Sequence, residues 1–335
     1  IGDRNTIAKV DPVSFAVKPV WSDQVSLAAG DGKIALSANA RTAASVSQSF
    51  AFAPRIVAGP VAAMAPITHD NDALSPATRA RSITWKNEGF DVQGWLLAPP
   101  GLEADKTYPM VVQIHGGPAS AAQPNFIWKG PIHDLLAQGY FVFQPNPRGS
   151  FGQGEAFTTA NVQDFGGGDL RDILAGVDAV EKIAPVDDSR LGVYGHSYGG
   201  YMTMWTVTHS TRFKAAVAGA GIANWISYYG QNGIDQWMIP FFGGTAYDNP
   251  AVYDRLSPIR SIKAARTPTF IYVGERDVEC PPAQSLEFWH GLKAMNVPTS
   301  LVIYEGEGHG IRSPEHNQDL NARVVGWFDK HLARP

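Results

Sequence analysis

The chain has 335 residues, enough for one large domain or two ordinary ones with a sizeable core. Hydrophobic residues make up 44% of it and charged residues 17%, which excludes a disordered chain. The net charge of -4, without a basic stripe, argues against a nucleic-acid partner. The single cysteine, Cys280, excludes an internal disulfide. Cysteine usage therefore does not distinguish an oxidising from a reducing compartment.

No run of about 18 apolar residues is present, so we expect no membrane span, and either the cytoplasm or the periplasm fits. The chain begins at Ile1 with neither an initiator methionine nor a secretory signal segment. We therefore expect a processed protein or a piece of a longer one.

The sequence pattern of residues 1–80 is typical of β-strands. Residues 24–28 and 33–37 flank a Gly-Asp-Gly turn, which predicts a β-hairpin, and residues 45–52 and 55–57 predict further strands. These strands are too few to close a sandwich or barrel. We interpret residues 1–80 as part of a β-domain.

From about residue 81, an antiparallel pair of strands is followed by alternating strands and helices. The strands are continuously apolar, which favours a mostly parallel sheet with helices on both faces, an α/β fold. The antiparallel pair is predicted at 82–85 and 93–97, further strands at 110–114, 140–143, 191–194, 215–218, 269–273 and 301–304, and helices at 132–138, 169–183, 199–208, 282–295 and 317–332.

Residues 195–199 (GHSYG) match the G-x-S-x-G pattern, with a predicted strand before and a helix after it. In that context the glycines allow a sharp turn that exposes the serine hydroxyl at the edge of the sheet. We therefore predict Ser197 as a catalytic nucleophile. The alternative, a glycine-rich packing turn, is the weaker interpretation.

An activated serine needs a base, and the base needs an orienting acid. Asp277 and His309 follow successive predicted strands, in the order acid then histidine that a hydrolase sheet requires. Glu275 is a rival for the acid, and His196 is expected to point away from the site. We predict a Ser197–Asp277–His309 triad.

Residues 115–118 (HGGP) follow another buried strand. A glycine pair there lets the backbone approach a substrate and aim an N–H at a developing oxyanion. We favour Gly117 over Gly116 as this donor, with the N–H of Tyr198 as the second. A plain turn is the alternative.

These motifs, together with residues 146–154 (NPRGSFGQG) and the extended elbow 195–201, resemble the prolyl oligopeptidase family, S9, from about residue 81 to the end. That family includes prolyl oligopeptidases, dipeptidyl peptidases, acylaminoacyl peptidases and lasso-peptide isopeptidases. The resemblance implies an α/β-hydrolase catalytic domain at 81–335, preceded by a β-propeller that screens substrates by size. Residues 1–80 would then be the end of the propeller, and the missing N-terminal propeller part would be a partner within the same protein. By resemblance, Arg148 is structural and has a carboxylate partner.

The resemblance also suggests substrate-binding residues. Ile222, Trp225 and Tyr228 follow the strand after the elbow, and the matching aromatic positions wall the pocket for the residue before the scissile bond. Flat aromatic walls suit proline and other compact apolar side chains. Helix core is the alternative for these aromatics.

Glu279 departs from the family, which usually carries Arg or Asn two residues after the catalytic Asp. A carboxylate only accepts hydrogen bonds, so it cannot serve a substrate carbonyl but can hold a cation. One hypothesis is that Glu279 binds a free α-amino group. The alternative is an electrostatic role at the start of the following helix.

The sequence thus predicts a serine peptidase of dipeptidyl or aminoacyl type that acts on short peptides through an acyl-enzyme. Alternatives are an acylaminoacyl peptidase, a lasso-peptide isopeptidase, a carboxylesterase and, least favoured, a non-enzymatic binding module. A homo-oligomer is compatible with the sequence. No metal-site, P-loop or dinucleotide motif is present, so no cofactor is expected.

Overall fold

The computed structural model describes residues 1–333. The strands are β1 Asn5–Val10, β2 Val17–Asp23, β3 Ser26–Leu27, β4 Ala35–Leu36, β5 Thr42–Gln48, β6 Arg55–Pro60, β7 Ala65–Pro66, β8 Arg79–Asn87, β9 Phe90–Ala98, β10 Tyr108–Ile114, β11 Phe141–Asn146, β12 Val186–His196, β13 Ala215–Gly219, β14 Thr269–Gly274 and β15 Thr299–Tyr304. The α-helices are α1 Pro131–Ala137, α2 Glu155–Thr158, α3 Gly168–Glu181, α4 Tyr198–His209, α5 Trp225–Tyr229, α6 Met238–Phe242, α7 Pro250–Arg255, α8 Pro282–Ala294 and α9 Pro314–Leu332, and 3-10 turns lie at Ala28–Gly30, Asp235–Trp237 and Pro258–Ala264.

Strands β8 to β15 form one eight-stranded sheet in the order β15-β14-β13-β12-β10-β11-β9-β8. The neighbours from β15 to β11 are parallel, whereas β9 is antiparallel to both β11 and β8. The predicted antiparallel pair is therefore present, with Ser82 opposite Trp95. Parallel neighbours require crossovers, and the helices supply them.

Helices cover both faces of this sheet because the strands send apolar side chains to both sides. On β10, Met110 and Val112 belong to a core cluster with residues of α3, α4 and α8, whereas Val111 belongs to a second cluster with residues of α1 and α9. The strands are accordingly buried along most of their length, as the sequence indicated. The predicted α/β-hydrolase fold class is confirmed.

The parallel strands bring several loops to one edge of the sheet. The HGGP segment follows β10, Ser197 separates β12 from α4, and Asp277 and His309 follow β14 and β15. Ligands bind in open α/β sheets at this carboxyl edge. The topology therefore gathers the predicted catalytic residues from segments far apart in the chain.

The first 78 residues form a β1–β2 hairpin and a separate five-stranded sheet of β3 to β7. The hairpin predicted across residues 24–37 is wrong, because β3 and β4 both pair with β5 and not with each other. The 3-10 turn after β3 leaves the two short strands end to end along one edge of β5. The sheet packs on the α/β part, where the N–H of Phe126 donates to Gln48 and the Phe50 ring meets Trp95 edge-on.

Within residues 1–333, none of the helices has both the length and the apolar character that crossing a membrane requires.

Candidate active site

Ser197 stands at a tight turn between β12 and α4. Its backbone has φ 63° and ψ -126°, a left-handed conformation that is unusual for a residue with a side chain. A Cβ on Gly195 would lie 2.2 Å from the Gly199 carbonyl oxygen, and one on Gly199 would lie 2.1 Å from that of Ile114. The close approach of three backbone segments explains the glycines. The turn has the form of a nucleophile elbow.

Asp277 and His309 are hydrogen-bonded across the sheet edge. His309 Nδ1 lies 2.8 Å from Asp277 Oδ2, and the Asp277 side chain is fully buried. Asp277 Oδ1 accepts the backbone N–H groups of Glu279, at 2.9 Å, and Cys280, at 2.8 Å. Because both carboxylate oxygens are engaged, the acid is held in one orientation and Nδ1 carries the shared proton. His309 Nε2 is left as the nitrogen that can accept a proton.

The charges around His309 favour its protonated form. Burial alone would lower the pKa of His309, but the hydrogen bond and charge of Asp277, with the charge of Glu279, raise it above its usual value. Glu279 Oε2 lies 3.7 Å from His309 Nε2. In the part of the chain that the structure describes, no hydrogen bond joins Ser197 Oγ to His309, and such bonds often form only in the substrate complex.

The rival candidates at this edge have other partners. Glu275 Oε2 accepts the N–H of Gly306, which ties two loops together. His196 lies behind His309, with ring centroids 4.8 Å apart, and its Nδ1 is 3.3 Å from the Tyr272 hydroxyl. Burial, followed by the charge of His309, lowers the pKa of His196 to about 4. His196 is therefore neutral at pH 7, and it does not line the cavity that contains Ser197.

The HGGP loop is held against the elbow. His115 Nδ1 donates to the Gly116 carbonyl at 2.7 Å, so Nε2, at 2.8 Å, accepts from the Ser150 hydroxyl. Burial lowers the pKa of His115, consistent with this neutral form. A Cβ on Gly116 would lie 3.3 Å from Ser197 Cβ, whereas Gly117 lines the cavity that contains Ser197. The sequence preference for Gly117 is compatible with this arrangement.

Asp169 supports the start of α4, a role that the sequence did not reveal. The Tyr198 hydroxyl donates to Asp169 Oδ2 at 2.6 Å, and the N–H groups of Gly166 and Leu170 also donate to this carboxylate. Burial raises the pKa of Asp169 to about 6. Since Tyr198 directly follows Ser197, this contact fixes the residue whose N–H is the predicted oxyanion donor. The glycine run at 166–168, where α3 begins, was the available signal.

A cavity of about 110 Å³ opens beside the nucleophile. Its walls are about equally polar and apolar, and Glu279 is the one carboxylate among the lining residues. Its lining comprises Gly117, Ser197, Tyr198, Ile222, Tyr228, Ile234, Trp237, Glu279 and Cys280.

The structure places only some of the predicted wall residues in the cavity lining. Ile222 and Tyr228 line the cavity, but Trp225 does not. Trp225 is 0% exposed, and its ring packs edge-on against Tyr228 at 5.4 Å and against Trp237 at 6.0 Å. The expectation that Trp225 walls the cavity is therefore corrected: it buttresses Tyr228 and Trp237 from behind. Trp237 follows an irregular loop, so no motif predicted it.

Glu279 lines the cavity that contains Ser197. The residue before α8 is Pro281, and no side chain caps that helix. The Glu279 side chain is 47% exposed, and its carboxylate lies 3.7 Å from His309 Nε2. Within residues 1–333 no hydrogen bond joins the Glu279 side chain to α8, and the electrostatic alternative stays a prediction.

The neighbouring Cys280 is a poor nucleophile. Burial, reinforced by the charge of Asp277, raises the pKa of its thiol well above the usual value. The thiolate is the reactive form of cysteine. Cys280 therefore contributes to the wall of the cavity as a neutral thiol.

Arg148 has the carboxylate partners that the resemblance implies. Its Nε and Nη2 donate to Asp172 at 2.9 and 2.7 Å, and its Nη1 donates to Glu88 at 2.9 Å. Asp172 is fully buried and Arg148 nearly so. The group ties the loop after β11 to α3 and to the β8–β9 turn.

With this geometry in place, comparison with known proteins identifies the family. The model of the prolyl oligopeptidase family matches residues 131–334, more than half of the chain. The chain belongs to the prolyl oligopeptidase family. Membership confirms the family that the sequence predicted.

Relatives within the prolyl oligopeptidase family carry several names. The chain is 37% identical to "Uncharacterized peptidase YuxL" of Bacillus subtilis over 73% of its own length and 38% of that protein. It is 28% identical to dipeptidyl-peptidase 5 of Porphyromonas gingivalis over 78% and 39%. The acylaminoacyl peptidase of Pyrococcus horikoshii superposes with a TM-score of 0.83 at 26% identity, over 95% of this chain and 51% of that one. The chain thus spans about half, or less, of the length of these relatives.

Proposed function

We propose that this chain carries the catalytic machinery of a serine peptidase that cleaves short peptides through an acyl-enzyme. His309 Nε2 takes the proton of Ser197 as its Oγ attacks the substrate carbonyl. The N–H groups of Tyr198 and Gly117 stabilise the oxyanion of the tetrahedral intermediate. Protonated His309 then gives its proton to the leaving amine, and water releases the acyl group by the same route.

The observation that carries this proposal is the fixed Asp277–His309 pair beside a serine elbow. Asp277 engages His309 Nδ1 at 2.8 Å while its other oxygen accepts two backbone N–H groups. This arrangement holds the histidine tautomer that a general base requires and stabilises the cation formed after proton transfer.

The cavity beside Ser197 favours a compact residue before the scissile bond. Its volume of about 110 Å³ and its walls of Ile222, Tyr228 and Trp237 suit alanine or proline better than a long or charged side chain. Trp225 sets the position of the aromatic walls without contacting the substrate.

The position of Glu279 favours a substrate with a free amino group. Its half-exposed carboxylate lies in the lining of the cavity, where a cation two residues before the cleaved bond could pair with it. A dipeptidyl or aminoacyl peptidase would use this contact, whereas an N-acylated substrate offers no charge to it. The name acylaminoacyl peptidase of the structural relative keeps the N-acyl alternative open to test.

We also propose that residues 1–80 are the last part of a β-propeller, with the catalytic domain at 81–335. The five-stranded antiparallel sheet of β3 to β7 and the superposition over 95% of the chain support this division. The rest of the propeller would then be the partner that restricts access to Ser197.

A panel of paired substrates tests the function. We expect Ala-Pro and Ala-Ala p-nitroanilides to be cleaved, N-acetyl-Ala-Ala p-nitroanilide to be cleaved about 10-fold more slowly, and Ser197→Ala to abolish all three activities. Glu279→Gln should bring the free and acetylated rates to within about twofold of each other. The measurement is kcat/KM for each pair.

Two outcomes would contradict the proposal. If Glu279→Gln leaves the ratio of free to acetylated rates unchanged, Glu279 does not hold the amine. If a p-nitrophenyl ester is hydrolysed well while every anilide stays intact, the site is that of an esterase.

A further inference from the structure

A second cavity lies beside the loop that follows His309, apart from the one that contains Ser197. It has a volume of about 560 Å³, within the range of small-molecule sites, and shares no lining residue with the first cavity. Gly310, next to His309 in the chain, lines it, as does His196, whose ring is 4.8 Å from that of His309. The second cavity is therefore lined by the residue that follows His309 and by the ring that packs against His309.

The charge of this second cavity is positive although the chain as a whole is negative. Lys129 and Arg312 line it, and its lining includes no aspartate or glutamate. Throughout residues 1–333, no ion pair or hydrogen bond engages the side-chain nitrogens of either residue. Other arginines near the sheet, such as Arg148 and Arg212, are fully paired. Two free cations at one cavity match an anionic ligand.

The cavity also has a preformed polar floor. The hydroxyls of Tyr194 and Tyr272 lie 3.3 Å apart, and that of Tyr272 lies 3.3 Å from His196 Nδ1. This row of hydrogen-bonding groups is uncharged at pH 7, since burial lowers the pKa of His196 to about 4. The floor can thus accommodate a peptide group, and the cations remain the charged elements of the site.

We propose that this cavity, the Lys129–Arg312 pocket, binds the terminal α-carboxylate of the peptide fragment that leaves during acylation. The inference rests on the proposed function, because only a peptidase releases such a fragment. His309 delivers a proton to the leaving amine, so the rest of the leaving fragment departs on the side of His309 away from the acyl group. A fragment of one or two residues carries its carboxylate close to that amine. The preferred substrates are therefore tripeptides and tetrapeptides with a free C-terminus.

The test compares an acid with its amide. The tetrapeptide Ala-Pro-Ala-Phe and its C-terminal amide differ in the leaving fragment by one charge, and Ala-Pro p-nitroanilide has no carboxylate there. We expect the full chain to cleave the acid at least about 10-fold faster than the amide, measured as kcat/KM by release of Ala-Phe or its amide. In the double variant Lys129→Gln/Arg312→Gln this ratio should fall to about one, with anilide cleavage within twofold of wild type.

The controls separate the possible failures. Lys263→Gln removes an exposed cation from the Pro258–Ala264 turn, away from the cavity, and should leave the ratio unchanged. A wild-type ratio near one, or a ratio that the double variant leaves unaltered, overturns the inference. A third result also overturns the inference: added acetate changes the rate of anilide cleavage in the wild type but not in Arg312→Gln. The pocket would then bind a free anion and not the carboxylate of the leaving fragment.

Failure of the proposed function gives a different result. In that case the anilide and both tetrapeptides stay intact, or they are cleaved equally by Ser197→Ala. If the anilide is cleaved in a Ser197-dependent manner and the acid and amide are cleaved equally, the peptidase proposal stands and the pocket proposal alone fails.

Discussion

His309 lies between two carboxylates with different roles. Asp277 is buried and fully hydrogen-bonded, so it orients the ring, whereas Glu279 is half exposed and 3.7 Å from the nitrogen that must accept a proton. The neighbouring ring of His196, which is neutral, also packs against His309. The second carboxylate therefore holds the histidine proton more tightly than a triad alone would.

This arrangement predicts a shift in the pH profile of Glu279→Gln. His309 acts as a base only when neutral, so activity falls as the pH drops through its pKa. Asp277 and Glu279 raise that pKa, and removal of the Glu279 charge lowers it. The acidic limb of kcat/KM should therefore move to lower pH in the variant, with an N-acetylated substrate used so that amine binding plays no part.

Glu275→Gln provides the matched control for the pH profile. Glu275 is also an acid in the loop after β14, but it binds the Gly306 N–H. Its variant should keep the wild-type acidic limb. An acidic limb that is the same in Glu279→Gln and wild type, or that moves to higher pH, would rule out the electrostatic role of Glu279.

Single residues also show where sequence reasoning succeeds. Asp277 and His309 could be located because strand ends along a parallel sheet meet at one edge, which chain order alone reveals. The inward or outward direction of an aromatic ring on a five-residue helix depends on packing. For that reason Trp225 was expected in the cavity wall, while Trp237 and the Asp169 contact were not foreseen.

At the scale of elements, the glycines of the elbow determine how closely β12 and α4 approach β10. Gly199→Ala would place a Cβ 2.1 Å from the Ile114 carbonyl oxygen, a fixed backbone atom. We expect a loss of about 3 kcal/mol or more in the free energy of unfolding, together with at least a 100-fold fall in activity. Denaturant unfolding and anilide hydrolysis measure the two effects.

Gly326→Ala is the control for this substitution. Gly326 lies inside α9, where an added Cβ meets no atom within 4 Å. Alanine should therefore stabilise the helix by about 0.5–1 kcal/mol. If Gly199→Ala stabilised the protein as Gly326→Ala is expected to do, the close backbone packing described for the elbow would be incorrect.

The Arg148 group joins three elements and gives a second prediction at this scale. Arg148→Met leaves the buried Asp172 carboxylate without its cation, which should cost about 3–5 kcal/mol of unfolding free energy. Arg171→Met removes another arginine bound to Glu88, but an exposed one, and should alter stability little. If urea unfolding shows the same loss of unfolding free energy in both variants, the buried Arg148–Asp172 pair stabilises the fold no more than the exposed Arg171–Glu88 pair does.

At the scale of the whole molecule, the sequence predicted the catalytic part far better than the first 80 residues. Apolar parallel strands and amphipathic helices such as α3 have periods that local sequence displays. The β3 and β4 segments are short, and their pairing with β5 depends on contacts that no local pattern encodes. Turn residues at 30–32 therefore indicated a hairpin that does not form.

The two cavities near His309 contain side chains of opposite charge. A carboxylate lies on the acyl side, at Glu279, and two cations lie on the leaving side, at Lys129 and Arg312. A short peptide has the complementary charges, an ammonium group at its start and a carboxylate at its end. The proposed substrate class follows from this match.

The most direct test of the account is covalent labelling of the folded chain with a fluorophosphonate, read by intact mass and peptide mapping. The account predicts one adduct per chain, on Ser197, absent from Ser197→Ala and formed much more slowly in His309→Ala. The absence of an adduct on the folded wild-type protein, or an adduct on another residue such as Cys280, would contradict it.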